Sequence, residues 1–380
     1  MVSEGFTAPG FESVREEFER NFTERGDTGA ALAVFRDDEL VVDLWGGLAD
    51  RETGAPWRKD SLQVIFSGTK ALVGICLLML IDRGELSADA PVSEYWPEFA
   101  AHGKEAVKVS DLASHQARLP AVRKPLNISD MCEDVALAAA LAAQPQEQDP
   151  RAASMYHALT YGWLCGELVR RVDGRSVGSF FAQEIARPLG LELWIGLPQE
   201  QENRVATLHY ADSWKGMPEG EELEKDELMK LVWANPPLFP SNDIPWNTRE
   251  YHAAEIPAAG GIGAARSVAR LYACLAREGE LDGVRLLEPA TILQARQCLM
   301  RGRDPLLDMP EAYGFGFELQ TELGYFGPPA AAFGYGGAGG SLHGAWPAER
   351  VGFSYAMNQM RDDPEDPRGR ALLKALHRCL

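Results

Sequence analysis

Residues 63–84 read QVIFSGTKALVGICLLMLIDRG, and apolar side chains fill almost every position from Ala71 to Ile81. A helix that is apolar on all sides belongs in the middle of a core, with layers packed around it. Yet this segment carries a serine, Ser67, and one turn later a lysine, Lys70. Positions i and i+3 of a helix share a face, their Cβ atoms about 5–6 Å apart. An ammonium group in such a helix must be desolvated, paired or put to use. Desolvation lowers a lysine pKa toward neutrality, and the resulting amine can take the proton of a nearby serine hydroxyl. Ser67 also opens the helix, where unpaired backbone N–H groups and the helix dipole favour negative charge. The plain alternative is an N-cap serine followed by a solvated lysine. The apolar run that follows argues against it, and Ser67–Lys70 is the sole Ser-x-x-Lys in the chain.

The rest of the 380-residue sequence must supply the layers around that helix. Pro9 to about Thr23 is patterned as an amphipathic helix, and AALAVFRDDELVVDLWGGLA as two strands about a tight turn at Asp37 and Asp38. From Leu86 to about Leu197 the pattern is mostly helical. Residues 212–250 mix an acidic stretch, EGEELEKDELMK, with Trp and Pro in WANPPLFPSNDIPW, and read as a flap too rich in proline for one regular element. AAGGIGAARSVARLYACLARE reads as a glycine turn feeding a helix. GFGFELQ, GSLHGAW and RVGFSYAMNQM read as strands, and a helix from about Arg368 closes the chain. Strands at both ends with helices between them predict one sheet built from both termini, interrupted by a helical lobe. A cleft is expected where the two meet.

Three further motifs compete for chemistry. Gly174-Arg175-Ser176-Val177-Gly178 fits Gly-x-Ser-x-Gly, but the segment before it is helical rather than a strand, so Ser176 reads as a helix N-cap. Ser341 and His343 alternate along one strand face, with no carboxylate in sequence to orient the imidazole. GGIGAA, Gly260 to Ala265, has the look of a dinucleotide turn but follows Pro257 rather than a strand. The net charge of −19 leaves no basic stripe for phosphates, which argues against nucleic acid and anionic membranes as partners. The seven histidines are scattered and no metal-ligating spacing is present, so no metal site is expected. Six scattered cysteines without a Cys-x-x-Cys pair, and an N-terminal stretch with neither a basic nor an apolar signal region, set the expectation of reduced thiols in a cytoplasmic protein.

Ser67-Gly68-Thr69-Lys70, Tyr156-His157-Ala158 and Tyr335-Gly336-Gly337 together resemble the three motifs of the serine β-lactamase and penicillin-binding protein superfamily. Among its branches the chain looks most like class C β-lactamases and the related family VIII carboxylesterases. LASHQARLP resembles the family segment ahead of the Tyr motif, GGIGAARSVARLYA its helix after the flap, and the likeness runs over roughly residues 10–378. The resemblance implies an α/β (α+β) fold: an antiparallel sheet flanked by N- and C-terminal helices, formed by residues 1–85 and 258–380, with an all-helical lobe at 86–257. It implies Ser67 as nucleophile, Lys70 as base, Tyr156 as proton relay, and an oxyanion hole from the N–H groups of Ser67 and Ala338. Gly336, Gly337 and Gly339 would let the strand come close to a substrate.

The departures from the pattern carry information. The penicillin-recognising members have Asn where this chain has Ala158, and a cation and a hydroxyl where it has Tyr335 and Gly336. Losing those polar anchors weakens binding of anionic β-lactams and peptide carboxylates. The resemblance therefore implies an esterase for small neutral esters, with acyl transfer or weak β-lactamase or D-Ala peptidase activity as alternatives, and no cofactor. Trp233, Phe239 and Trp246 in the flap are expected either to line an acyl or alcohol pocket, which would favour short chains, or to pin the flap to the body.

Overall fold

The structure, a computed structural model, describes residues 3–216, 225–240, 244–305 and 308–380. Part of the expected acidic flap, residues 217–224 and 241–243, lies outside them. Among the described residues a ten-stranded antiparallel sheet dominates. From one edge it runs Glu4–Thr7, Glu39–Asp50, Gly29–Arg36, Val351–Met357, Leu342–Trp346, Phe333–Gly336, Glu318–Leu319, Pro310–Tyr313 and Met300–Arg303, with Ala55–Pro56 attached to Glu39–Asp50. The two ends of the chain meet in its middle, where Ala33 lies opposite Ser354. The hairpin at Asp37 is present, with that residue at φ +57°. The edge strand Glu4–Thr7 was not foreseen: its EGFT has no apolar alternation, and it is held by register against Val42 to Trp45.

Alternation along the strands gives the sheet two apolar faces. On one, Val14 and Phe18 of helix Glu12–Thr23 and Leu372, Leu373 and Leu376 of helix Pro367–His377 pack with Leu32, Val34, Phe353 and Tyr355. The other face meets helix Ala265–Ala276 and the central helix Gly68–Asp82. That central helix is buried at every residue from Gly68 to Leu80, as an all-round apolar sequence requires. Helices Thr160–Asp173, Val177–Phe181 and Pro289–Ala295 surround it, and strand Phe333–Gly336 runs beside its start. Its close fit needs Gly74, where a Cβ would stand 2.8 Å from the Cα of Gly316.

The glycine turn before helix Ala265–Ala276 is in fact a short strand, Gly261–Gly263, lying between Gln63–Val64 and Leu193–Ile195. The lobe expected to be all-helical is corrected: its helices are many short pieces rather than a few long ones, and it also contributes strands Leu193–Ile195 and His209–Tyr210, which pair with Gly261–Gly263 and Gln359–Met360 of the other part. The described part of the flap holds an eight-residue helix, Glu227–Ala234, then irregular chain, a short turn of helix at Pro245–Asn247 and the start of helix Arg249–Ala253. All six cysteines are unpaired. Among the described residues no helix is long and apolar enough to cross a membrane.

Candidate active site

Ser67 sits at the N-cap of the central helix, in contact with solvent, while Lys70 directly below is 0% exposed. The start of the helix is pinned from both sides. The Thr69 hydroxyl donates to the Phe66 carbonyl at 2.6 Å and accepts the Gly261 N–H at 2.8 Å. Phe66 itself has φ +44°, a left-handed conformation rarely adopted by an aromatic residue and typically costing about 1–3 kcal/mol. Edge-on contacts of its ring with Trp246 at 5.2 Å and Phe239 at 5.7 Å hold it there. The turn lifts Ser67 toward the cleft.

The Lys70 amine has three neighbours: the Ala158 carbonyl at 2.8 Å, the Ala258 carbonyl at 3.0 Å and Ser67 Oγ at 3.1 Å. Burial pushes its pKa well below 10.5, and the opposing pull of the Glu318 carboxylate is weaker. A neutral amine has two N–H bonds and one lone pair. In its neutral form, with both hydrogens given to the two carbonyls, the amine would turn its lone pair to Ser67 Oγ. The Tyr156 hydroxyl donates to the same Oγ at 2.8 Å, and burial raises its pKa, so the phenol keeps its proton. The Tyr156 phenol and the Lys70 amine thus meet at the same Ser67 oxygen.

Tyr156 is fixed in turn. Its backbone N–H donates to Asp304 Oδ2 at 3.2 Å, its ring stacks on Tyr313 at 6.2 Å, and the Lys70 amine lies 4.8 Å from its centroid. His115, at φ +63°, packs 4.8 Å from the same ring. Because His115 Nδ1 accepts the His157 backbone N–H at 3.0 Å, its Nε2 carries the hydrogen and donates to the Tyr335 hydroxyl at 2.8 Å. Burial keeps this imidazole neutral. The Tyr335 side chain is therefore a phenol already engaged by a neutral histidine.

On the strand side, Gly337 approaches the Ser67 turn so closely that a Cβ there would lie 2.5 Å from the Ile65 carbonyl and 2.1 Å from Ser341 Oγ. Its N–H donates to the Ser341 carbonyl at 2.9 Å. Among the described residues, neither the Ser67 nor the Ala338 N–H donates to a backbone carbonyl. Beyond these groups opens a cleft of about 380 Å³, lined by Tyr156, Tyr313, Trp233, Phe239 and the strand end Tyr335 to Ala338. Trp246 is corrected: it does not line this cleft. It is 2% exposed, donates its indole N–H to the Leu238 carbonyl at 3.0 Å, and buttresses Phe66.

The competing motifs fall away on geometry. Ser176 caps helix Val177–Phe181 and donates to Glu255 at 2.7 Å, after a helix rather than a strand. Ser341 is fully buried and not bonded to His343, whose Nδ1 pairs with Ser354 Oγ at 2.8 Å. Several site residues escaped the sequence reading. His115 lay within a quoted segment but without a role. Asp304, Glu311 and Glu318 line the cleft; the one visible signal for the latter two was a carboxylate within a strand, and Asp304, just past strand Met300–Arg303, gave none. The carbonyls of Ala158 and Ala258 left no signal, since every residue has one.

The family model described as Beta-lactamase matches residues 18–377. The "Esterase/beta-lactamase LipL" of Mycobacterium tuberculosis is 34% identical over 374 residues, covering 94% of this chain and 83% of that protein. A penicillin-binding protein homolog from Caulobacter crescentus superposes with a TM-score of 0.91 at 39% identity, and a family VIII carboxylesterase with 0.91 at 35%, each over 100% of both chains. With a family match spanning nearly the whole sequence, and a sheet, central helix and Ser-x-x-Lys turn assembled as described, this chain belongs to the beta-lactamase family.

Proposed function

We propose that this protein is a serine hydrolase cleaving small carboxylic esters that lack a negative charge, short acyl chains foremost, through an acyl-enzyme on Ser67. The observation that carries the reading is a hydroxyl held 3.1 Å from a buried amine and 2.8 Å from a buried phenol. The esterase names of LipL and the family VIII structure support the reaction class. The loss of a cation at Tyr335 supports the charge preference.

In the proposed cycle Lys70 Nζ takes the Ser67 proton as Oγ attacks the ester carbonyl. The carbonyl oxygen becomes an oxyanion between the N–H groups of Ser67 and Ala338; donors of this kind are each worth about 3–4 kcal/mol in the transition state. As the tetrahedral intermediate collapses, the Tyr156 phenol gives its proton to the departing alkoxide and regains one from Lys70 by way of the site. Water then attacks the acyl-enzyme with the same groups acting in reverse, releasing the acid and restoring Ser67. Trp233 and Phe239 bound the space for the acyl or alcohol chain. These steps use side chains and backbone groups alone.

p-Nitrophenyl acetate and butyrate should be hydrolysed, Ser67→Ala should lose nearly all of the rate, and Ser176→Ala should keep it. A fluorophosphonate probe should label the peptide that carries Ser67. Label on another serine, or undiminished turnover in Ser67→Ala, would refute the assignment. A second reading, slow β-lactam turnover, is favoured by the double name of LipL; nitrocefin cleaved at rates like those of the esters would put it first. Added small alcohols would reveal acyl transfer as ester product in place of acid.

A further inference from the structure

One wall of the cleft carries more carboxyl groups than an esterase for neutral substrates needs. Strand Pro310–Tyr313 presents Glu311 and Tyr313 on the same face, two residues apart, and both line the cleft. Glu311 is 5% exposed, and among the described residues neither of its carboxylate oxygens has a hydrogen-bond partner of normal geometry. Glu318, on the neighbouring strand, and Asp304 line the same space. Glu318 holds one long contact, accepting the Gly336 N–H at 3.4 Å. Asp304 already anchors Tyr156.

An unpartnered buried carboxylate is costly, because it has lost its water without gaining a donor. Here the cost is compounded, since the carboxylates repel one another. Burial and the nearby Asp304 carboxylate push Glu311 up to about 8, with the adjacent Tyr313 hydroxyl pulling the other way, and burial pushes Glu318 up to about 7. A group with several N–H donors and a positive charge would relieve both defects together. No set of three or more ligating side chains among the described residues is gathered closely enough to hold a metal ion.

Resting on the esterase reading above, we infer that this site selects esters bearing a primary or secondary ammonium group, which docks between Glu311 and Glu318 while the ester carbonyl lies at Ser67. A quaternary ammonium, having no N–H, would not satisfy Glu311. The rings of Tyr156 and Tyr313 flank the same wall and add cation–π attraction. The chain's net charge of −19 steers such substrates inward. Docking also couples to the chemistry. Glu318 is the strongest influence favouring the protonated form of Lys70, so an ammonium on Glu318 helps keep that amine neutral and ready to act as base.

The test is a ratio of kcat/KM for two esters of the same shape, ethyl 3-aminopropanoate and ethyl butyrate, followed by pH-stat near neutrality. The wild type should favour the ammonium ester about ten-fold or more, the range expected for a charge-assisted hydrogen bond. The ratio should collapse toward one in Glu311→Gln and fall in Glu318→Gln, with circular dichroism checking the fold of each. If Glu311→Gln does not fold, Glu318→Gln decides. Calorimetric titration with n-butylammonium chloride alone should detect binding that weakens about ten-fold in the variants. Turnover of ethyl butyrate with a ratio of one or less sinks the ammonium site and leaves the esterase reading standing. Butylammonium binding that depends on Glu311, with neither ester cleaved, does the reverse. A high ratio unchanged in both folded variants removes these carboxylates from the proposal.

Discussion

Replacing Tyr156 by Phe removes one hydroxyl and keeps the ring, with its packing on Tyr313 and His115 and its contact with the Lys70 amine. The lost bond to Ser67 Oγ, 2.8 Å long, is worth about 1 kcal/mol net to stability, so the melting temperature should move by only a few degrees. The rate should respond very differently. A positioned proton donor contributes about 10²–10⁴-fold, or about 3–5 kcal/mol of transition-state stabilisation. That contribution is needed only when the leaving group must be protonated. Ethyl butyrate expels ethoxide, a strong base, and should lose most of this factor. p-Nitrophenyl butyrate expels a stable phenolate and should lose no more than about ten-fold. The assay is kcat/KM for both esters in wild type and Tyr156→Phe at mildly alkaline pH, since kcat/KM reports the acylation half-reaction. Equal losses for the two esters would refute the reasoning, because the phenol would then be assisting attack or orienting Ser67 rather than serving the departing alcohol.

Two other outcomes follow from the same geometry. Because attack needs the neutral Lys70 amine, and burial holds its pKa well below 10.5, kcat/KM should rise with pH and reach its plateau well below that value; Glu318→Gln, which removes the nearby negative charge, should move the rising limb to lower pH in a pH-rate profile. Gly337→Ala places a methyl 2.5 Å from the Ile65 carbonyl, forcing the strand end away from Ser67, so kcat/KM should fall about 10²-fold or more; shortening Ser341 as well should not restore it, because the second clash is with backbone.

The proposed catalytic set was legible in sequence for a specific reason. A lysine inside a helix with no polar face has few places to go, so Lys70 announced itself, and Ser67 stood at the one spacing that could meet it. Tyr156 was legible only in company, since a tyrosine before a helix is ordinarily a packing residue. The sheet drawn from both ends was also readable from the alternation in AALAVFR and RVGFSYAM. The flap aromatics were not separable: Trp233 and Phe239 line the cleft while Trp246 lies beneath Phe66, and nothing in WANPPLFPSNDIPW distinguishes them.

By itself, then, the sequence determined which helix must be central and which amine it would bury, because periodicity and burial are local demands that a single segment states in full. Tertiary structure alone decided what that amine would meet. The carbonyls of Ala158 and Ala258, which accept from the Lys70 amine and hold it beside Ser67, lie 88 and 188 positions away. It also decided that Glu311 and Glu318, on adjacent strands, would share one unsatisfied wall. Backbone acceptors look alike at every position, and charge repulsion exists only between groups that folding has brought together.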